Sequence, residues 1–392
     1  MILKGGKEKR EHLSSNRFIH SKFWFPRFVE GLIVGEGLKK PLIDGSSMYQ
    51  IGGQPGHRCE ELVFTMKSII AKYIYEGKCL ILQTSDLSKF FDKEMIEDAI
   101  LTCYKRGADP KACRLWYKIN QDTRIRVRTG AGMSQFADVG AVVGQGTLGG
   151  ALVSQAVLDQ GISEQFAPGG EDEVTYGSVP QAPLIFQDDV LHAAEGIKEA
   201  RIANEKMSRV VKSLNLTLNR DNTFCILVGP KKRRMKIKAE LEKDPLFCGD
   251  IETKLKEKFK WLGQTLSCGG LAESVAATIE AREGKIRGAC LEIAQIVNDW
   301  RLHVVGGMET GLLLWEACCV PSLLNGAGTW IEMTKKTEKE LNKIQFWGLC
   351  LFLQVGPGTP HASLLWDTAV LEMGLKVKIE KNITYLSYKK SK

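Results

Sequence analysis

The 392-residue chain has no CxxC pair and no cysteine and histidine cluster at zinc spacing, and its eleven cysteines are scattered singly apart from Cys318-Cys319. That excludes a zinc ribbon or finger, and with it the framework of a small disulfide-stapled secreted domain. Reduced core thiols in an intracellular compartment, nucleus or cytoplasm, are expected instead. Long apolar runs are missing too. The longest, Gly311 to Leu324, carries Glu316 and Pro321 and falls short of the ~20 residues a membrane span needs, so no membrane partner is expected. The opening MILKGGKEKREHLSS passes from two apolar residues straight into charge, unlike the apolar core of a secretory signal. No collagen-like period, polar low-complexity tract or helical repeat occurs, which removes the array and disordered classes.

What is present is the makings of a globular protein. Hydrophobic residues make up 44% of the chain and aromatics 8%, enough for a sizeable core, and the length suits two or three domains. With 54 Lys and Arg against 46 Asp and Glu the net charge is +8, and an acidic solvating protein is excluded. Two clusters concentrate the excess: Lys4-Gly-Gly-Lys-Glu-Lys-Arg10 and Lys231-Lys-Arg-Arg-Met-Lys-Ile-Lys238. Either could meet phosphates, although a lone basic run is more often a solvated surface.

Cys79 to Thr84, CLILQT, is short, apolar and bounded by Gly77 and Ser85-Asp86, which predicts a buried strand ending on an aspartate. Lys93 to Arg106 has helical spacing with Gly107 as its stop, and the glycine-rich Gly140 to Gly150 opens another helix whose Leu148, Ala151-Leu152, Gln155, Leu158 and Ile162 lie along one side. Ala182 to His192 reads as a tight hairpin with Asp188 at or beside its turn. A helix from Ile197 to Leu214 and a strand from Thr223 to Val228 follow. Strand, helix, helix, hairpin, helix, strand is the order of a ferredoxin-like split βαβ sheet, an α+β fold. Turn residues cluster at Ser267-Cys-Gly-Gly270, and beyond them Glu273 to Asn298 and Met308 to Leu324 look helical.

Asp86 and the Asp188-Asp189 pair would lie on adjoining strands of that sheet. Carboxylates that close repel unless a cation lies between them, and an all-carboxylate set favours Mg²⁺ or Mn²⁺. Taken by itself, such a pair is more often only a polar turn. Gly144-Gln-Gly-Thr-Leu-Gly-Gly150 lacks the Gly-Lys-Ser/Thr end of a phosphate loop, so a nucleoside-triphosphate P-loop is not expected, but its small residues would let a nucleotide or template backbone come close.

The order of these segments resembles the reverse transcriptase of non-LTR (LINE-like) retrotransposons. Ser85-Asp-Leu-Ser-Lys-Phe-Phe-Asp92 looks like the first catalytic motif, Val143-Gly-Gln-Gly-Thr-Leu148 like the Gln-Gly segment, and Phe186-Gln-Asp-Asp189 like the aromatic-x-Asp-Asp hairpin. Leu216-Thr-Leu-Asn219 resembles the next motif, and Lys260-Trp-Leu-Gly263 the primer-gripping turn. Upstream, Lys4 to Lys7 with Asn16-Arg-Phe-Ile19 resembles the fingers hairpin, and Gln54-Pro-Gly-His-Arg58 the segment leading into the first motif. The resemblance runs to about Gly263.

It implies a polymerase palm with catalytic Asp86, Asp188 and Asp189, of which Asp86 and Asp188 would hold two Mg²⁺ ions, Mn²⁺ being a possible substitute. Arg17, Phe91, Gln145 and Gly146 would bind the nucleotide, although Phe91 could equally be core. Trp261, Leu262 and Gly263 would bind the primer. Partial fingers are expected over 1–75, the palm over 76–266 and a mainly helical thumb or connection over 267–392. The implied partners are an RNA template, a DNA primer and deoxynucleoside triphosphates. Gln187 stands where Ala or Met is commoner, and Asn222 where the family often has a lysine thought to protonate pyrophosphate, with Arg220 a substitute. The expectation is therefore a retrotransposon polymerase, in all a fragment of an element. The alternative is a truncated or decayed copy that binds RNA or primer-template without chemistry.

Overall fold

A run that is apolar on both of its faces belongs in the middle of a sheet. CLILQT lies there, as β1 (Leu80–Asp86), buried along its length until Asp86. A computed structural model describes residues 2–3, 16–17, 24–47, 50–88, 90–121, 124–126, 128–129, 132–138, 143, 147–166, 174–176, 179–181, 183–298 and 307–390. Together with β2 (Leu184–Phe186), β3 (Asp189–Ala194), β4 (Phe224–Val228) and β5 (Lys254–Leu255), β1 forms a mixed sheet in the order β2-β3-β1-β4-β5. The first four strands follow the split βαβ order expected from the sequence. β3 runs antiparallel to β1, with Asp189 opposite Asp86 and Ala194 opposite Ile81, while β5 adds on parallel to β4.

The helices in chain order are α1 (Trp24–Ile33), α2 (Lys39–Asp44), α3 (Cys59–Tyr75), α4 (Ile96–Lys105), α5 (Pro110–Asn120), α6 (Gly150–Gln165), α7 (Ile197–Ser213) and α8 (Lys231–Lys243). After the last strand come α9 (Leu271–Asn298), α10 (Gly307–Leu314), α11 (Val320–Leu324), α12 (Lys335–Leu353), α13 (His361–Thr368) and α14 (Met373–Lys390). The protein is thus α+β. None of the described helices is long and apolar enough to cross a membrane, and all eleven cysteines are free thiols.

Two compact units result, and they are not consecutive in sequence. One comprises 1–59, 81–225 and 237–255, the other 60–80, 226–236 and 256–392. The sequential division at 75/76 and 266/267 is therefore not the one made by packing, because α3 and the start of α8 pack with the C-terminal stretch.

In the first unit Leu158 and Ile162 of α6 and Ala203, Met207 and Val210 of α7 pack on Ile185 and Val190 of the hairpin. The other side of α6, Val153, Ala156 and Val157, joins Trp116, Leu38 and Ile96 in a second cluster. The expected one-sided stripe on α6 is thus corrected to a helix buried on two sides. Gly149, at its N-terminus, has no room for a side chain: a Cβ there would lie 2.8 Å from Trp116 Nε1 and 2.9 Å from Val34 Cγ2. Packing alone thus requires a glycine here. Between the clusters Asp159 is ion-paired to Arg106 at 2.7 Å, both side chains buried, and the guanidinium also donates to the carbonyls of Leu42 and Ala156.

The second unit has its own core. Trp315 and Trp330 are fully buried among residues of α9, α11, α12 and α14, including Ile286, Leu323, Leu341 and Val377.

Candidate active site

Register brings the acids together. Residues opposite each other in an antiparallel pair have Cβ atoms about 4.5–5.5 Å apart on one face, so Asp86 and Asp189 are neighbours across β1 and β3. Asp189 also faces Phe186 across the hairpin, which leaves Gln187 and Asp188 as its two-residue loop. Loops of that length favour turns with positive φ at the first central position, and Gln187 has φ 60°. Asp86, Gln187, Asp188 and Asp189 are all half-buried and so open to solvent ions.

The chain after α7 fixes the Asp86 carboxylate. Leu218 bridges Leu87 antiparallel, and the Asn219 N–H donates to the Asp86 carbonyl at 2.8 Å. Two side-chain amides then converge on a single oxygen: Asn219 Nδ2 donates to Asp86 Oδ2 at 2.9 Å and Asn222 Nδ2 at 2.8 Å. Both of these side-chain bonds to Asp86 thus fall on Oδ2. Nearby, Lys93 Nζ donates to Thr217 Oγ1 at 2.7 Å.

The donor chemistry suits a hard divalent cation. Like charges directly opposite one another on a sheet are unfavourable, and an ion between them removes the conflict. Among the described residues no group of three or more His, Cys, Asp or Glu side chains could hold a metal. That holds for Asp86, Asp188 and Asp189 as a trio, so an ion here would have at most two of these carboxylates, with water and phosphate oxygens completing the shell, the usual situation for Mg²⁺.

The remaining expected residues are placed as follows. Arg17 lies in a two-residue strand, opposite Ile2, and Phe91 in the helical turn Phe90–Lys93, whose Phe90 is core; the side chains of Arg17 and Phe91 fall outside the described residues. So do Gln145, Gly146 and the segment 4–7. Trp261 ends β6 (Lys258–Trp261), which pairs with β7 (Gln264–Ser267) so that Leu262 and Gly263 form a two-residue loop with φ 44° and 77°, values close to a type I′ turn. Trp261 is buried, and the half-exposed part of the hairpin is the Leu262-Gly263 turn.

Arg282 of α9 braces that turn, donating to the Gly263 carbonyl at 2.6 Å and to those of Leu323 and Asn325. Beside it Gln264 Oε1 accepts from Trp330 Nε1 at 2.8 Å and, more weakly, from Lys67 Nζ at 3.5 Å, while Lys67 Nζ also donates to Thr329 Oγ1 at 3.1 Å. Burial lowers the Lys67 amine to about 7, with Arg282 and Lys381 adding to the effect. In the first unit burial raises the Glu94 carboxyl to about 8 against the opposing Ser154 hydroxyl. Sequence reasoning missed Lys67, Arg282 and the amide role of Asn222. Only Asn219 and Asn222, three apart beside a quoted motif, left any trace.

No family model matches the chain, and no curated protein does. Among solved structures it is similar to apo telomerase from Candida Tropicalis, with TM-score 0.45 and 10% identity over 90% of this chain and 55% of that one. Telomerase from Candida albicans in complex with a TWJ fragment of telomeric RNA gives TM-score 0.40 and 9% identity over 93% and 55%. The chain thus spans about half the length of the telomerases it matches. These are distant likenesses, and it is the geometry around Asp86 that bears on function.

Proposed function

We propose that the protein is an RNA-directed DNA polymerase of the retrotransposon type, adding deoxynucleotides to a primer 3′-hydroxyl on an RNA template. The observation that carries this reading is the register of Asp86 against Asp189 at the mouth of a tight hairpin that also bears Asp188. Asp86 and Asp188 would hold the divalent ions, with Asp189 in support. Such ions, when bound, acidify the attacking hydroxyl and neutralise charge on the triphosphate. The chain's own contribution is orientation. Asn219 and Asn222 hold Asp86 through a single carboxylate oxygen, and the Gln187-Asp188 turn sets the second acid. The Leu262-Gly263 turn, braced by Arg282, would meet the primer end, and the basic clusters would contact phosphates without sequence preference. Purified protein is expected to extend a primer on poly(rA) with Mg²⁺ or Mn²⁺, and Asp188→Ala to lose that activity. Undiminished extension by the variant refutes the reading.

A second reading is favoured by Asn222, whose neutral amide bonds Asp86 where the family often has lysine: a polymerase fold that binds RNA or primer-template but performs no transfer. Tight, salt-dependent filter binding with no nucleotide incorporation would establish it.

A further inference from the structure

We propose that Gln50 is the positioning residue of the catalytic hairpin, setting the Asp188-Asp189 pair by clamping the peptide groups of Gln187. The proposal deepens the divalent-ion reading of this site and rests on it. Gln50 is fully buried (1% exposed) and lies 137 positions from the residue it holds. Its Oε1 accepts from the Gln187 N–H at 3.2 Å, and its Nε2 donates to the Gln187 carbonyl, also at 3.2 Å. One side-chain amide thus engages both backbone groups of a single turn residue. That residue has φ 60°, a conformation that a residue with a side chain keeps only where its surroundings enforce it. Asp188 is the next residue, so a rotation of the Gln187 peptide would re-aim the acids.

The clamp is itself fastened. Gln50 pairs with Ile185 in an isolated parallel bridge, and the Ile51 N–H donates to the Ile185 carbonyl. The Gly52 N–H donates back to Gln50 Oε1 at 3.0 Å, and Gln54 Nε2 donates to the Gln50 carbonyl. Gly52 is a glycine for a reason of space: a Cβ there would sit 2.6 Å from the Gln187 nitrogen. Gln54 of the Gln-Pro-Gly-His-Arg segment therefore acts on the chain that carries Gln50. The segment 50–54 is a brace for the hairpin.

The test compares full-length wild type with Gln50→Leu, which keeps the volume and removes both arms, Gln50→Glu, which keeps the acceptor only, and Gly52→Ala, which crowds the turn while leaving the amide. Three quantities are read: single-nucleotide incorporation, Mn²⁺ affinity by proton relaxation with Asp86→Asn as the site control, and thermal midpoint. For Gln50→Leu we expect kcat to fall about 100-fold, as for a misplacement near 1 Å, with the nucleotide KM unchanged. Mn²⁺ affinity should weaken several-fold in all three variants, least in Gln50→Glu. Wild-type rate and Mn²⁺ affinity in Gln50→Leu overturn the proposal, and so does a fall in midpoint with kcat and Mn²⁺ affinity preserved. If the wild type itself incorporates nothing, the polymerase reading fails, and Mn²⁺ affinity still decides: weakened in Gln50→Leu, the clamp stands; unchanged, it falls.

Discussion

Replacing Lys67 by Met should make the protein more stable at neutral pH and remove a pH dependence that the wild type shows. The amine is fully buried, with no carboxylate partner among the described residues, and burial brings it from 10.5 down to about 7. At about 1.4 kcal/mol per unit, that difference sets a ceiling of about 5 kcal/mol on the penalty of burying the ammonium. Between about 7 and 10.5 the unfolded chain binds a proton at this amine that the folded one has released, so the contribution of Lys67 to stability rises with pH across this window and is flat below it. Methionine fills similar volume and leaves its neighbours satisfied, since Thr329 still donates to the Gly326 carbonyl and Gln264 still accepts from Trp330. Denaturant unfolding followed by tryptophan fluorescence at pH 7, 8.5 and 10 would measure it. The Met variant should lead at pH 7 by up to a few kcal/mol, and its lead should shrink at pH 10. A constant difference across the series would refute the buried-amine argument.

Glu94→Gln should act in the opposite direction of pH. Its carboxyl is raised to about 8 by burial, so the native state holds a proton there that the unfolded chain loses above about 4.5, and the contribution of Glu94 to stability falls from there up to about pH 8. The Gln variant should flatten that decline, as equilibrium unfolding at pH 5 and 8 would show. Asn222→Lys would bring an ammonium to the carboxylate now held by an amide at 2.8 Å. Even after solvent and salt screening, the Mg²⁺ needed for half-maximal incorporation should rise on the order of tenfold, read from a metal titration of primer extension.

The local signals around the site were strong. An apolar run without alternation told of the central strand β1, a polar interruption between two apolar arms told of the hairpin, and the 3.6-residue pattern of Ala200, Ala203, Met207 and Val210 told of α7. α6 misled because both of its faces are buried, so the stripe expected on one side does not exist. The acids were visible as residue types at strand ends. Which of them faces Asp86 was not, since a two-residue loop and a one-residue change of register decide that, and the register puts Asp189 opposite Asp86 with Asp188 in the turn.

By itself the sequence determined what depends on neighbours in the chain: the main strands and helices around the hairpin, the α+β class and the placing of acids at strand ends. Tertiary structure alone decided the rest. Gln50 reaches Gln187, Lys67 reaches Thr329 and Asn222 reaches Asp86 over separations of 137, 262 and 136 positions. Hydrogen bonds of that kind form only after packing has closed the intervening loops, and their geometry leaves no periodic mark on the residues between.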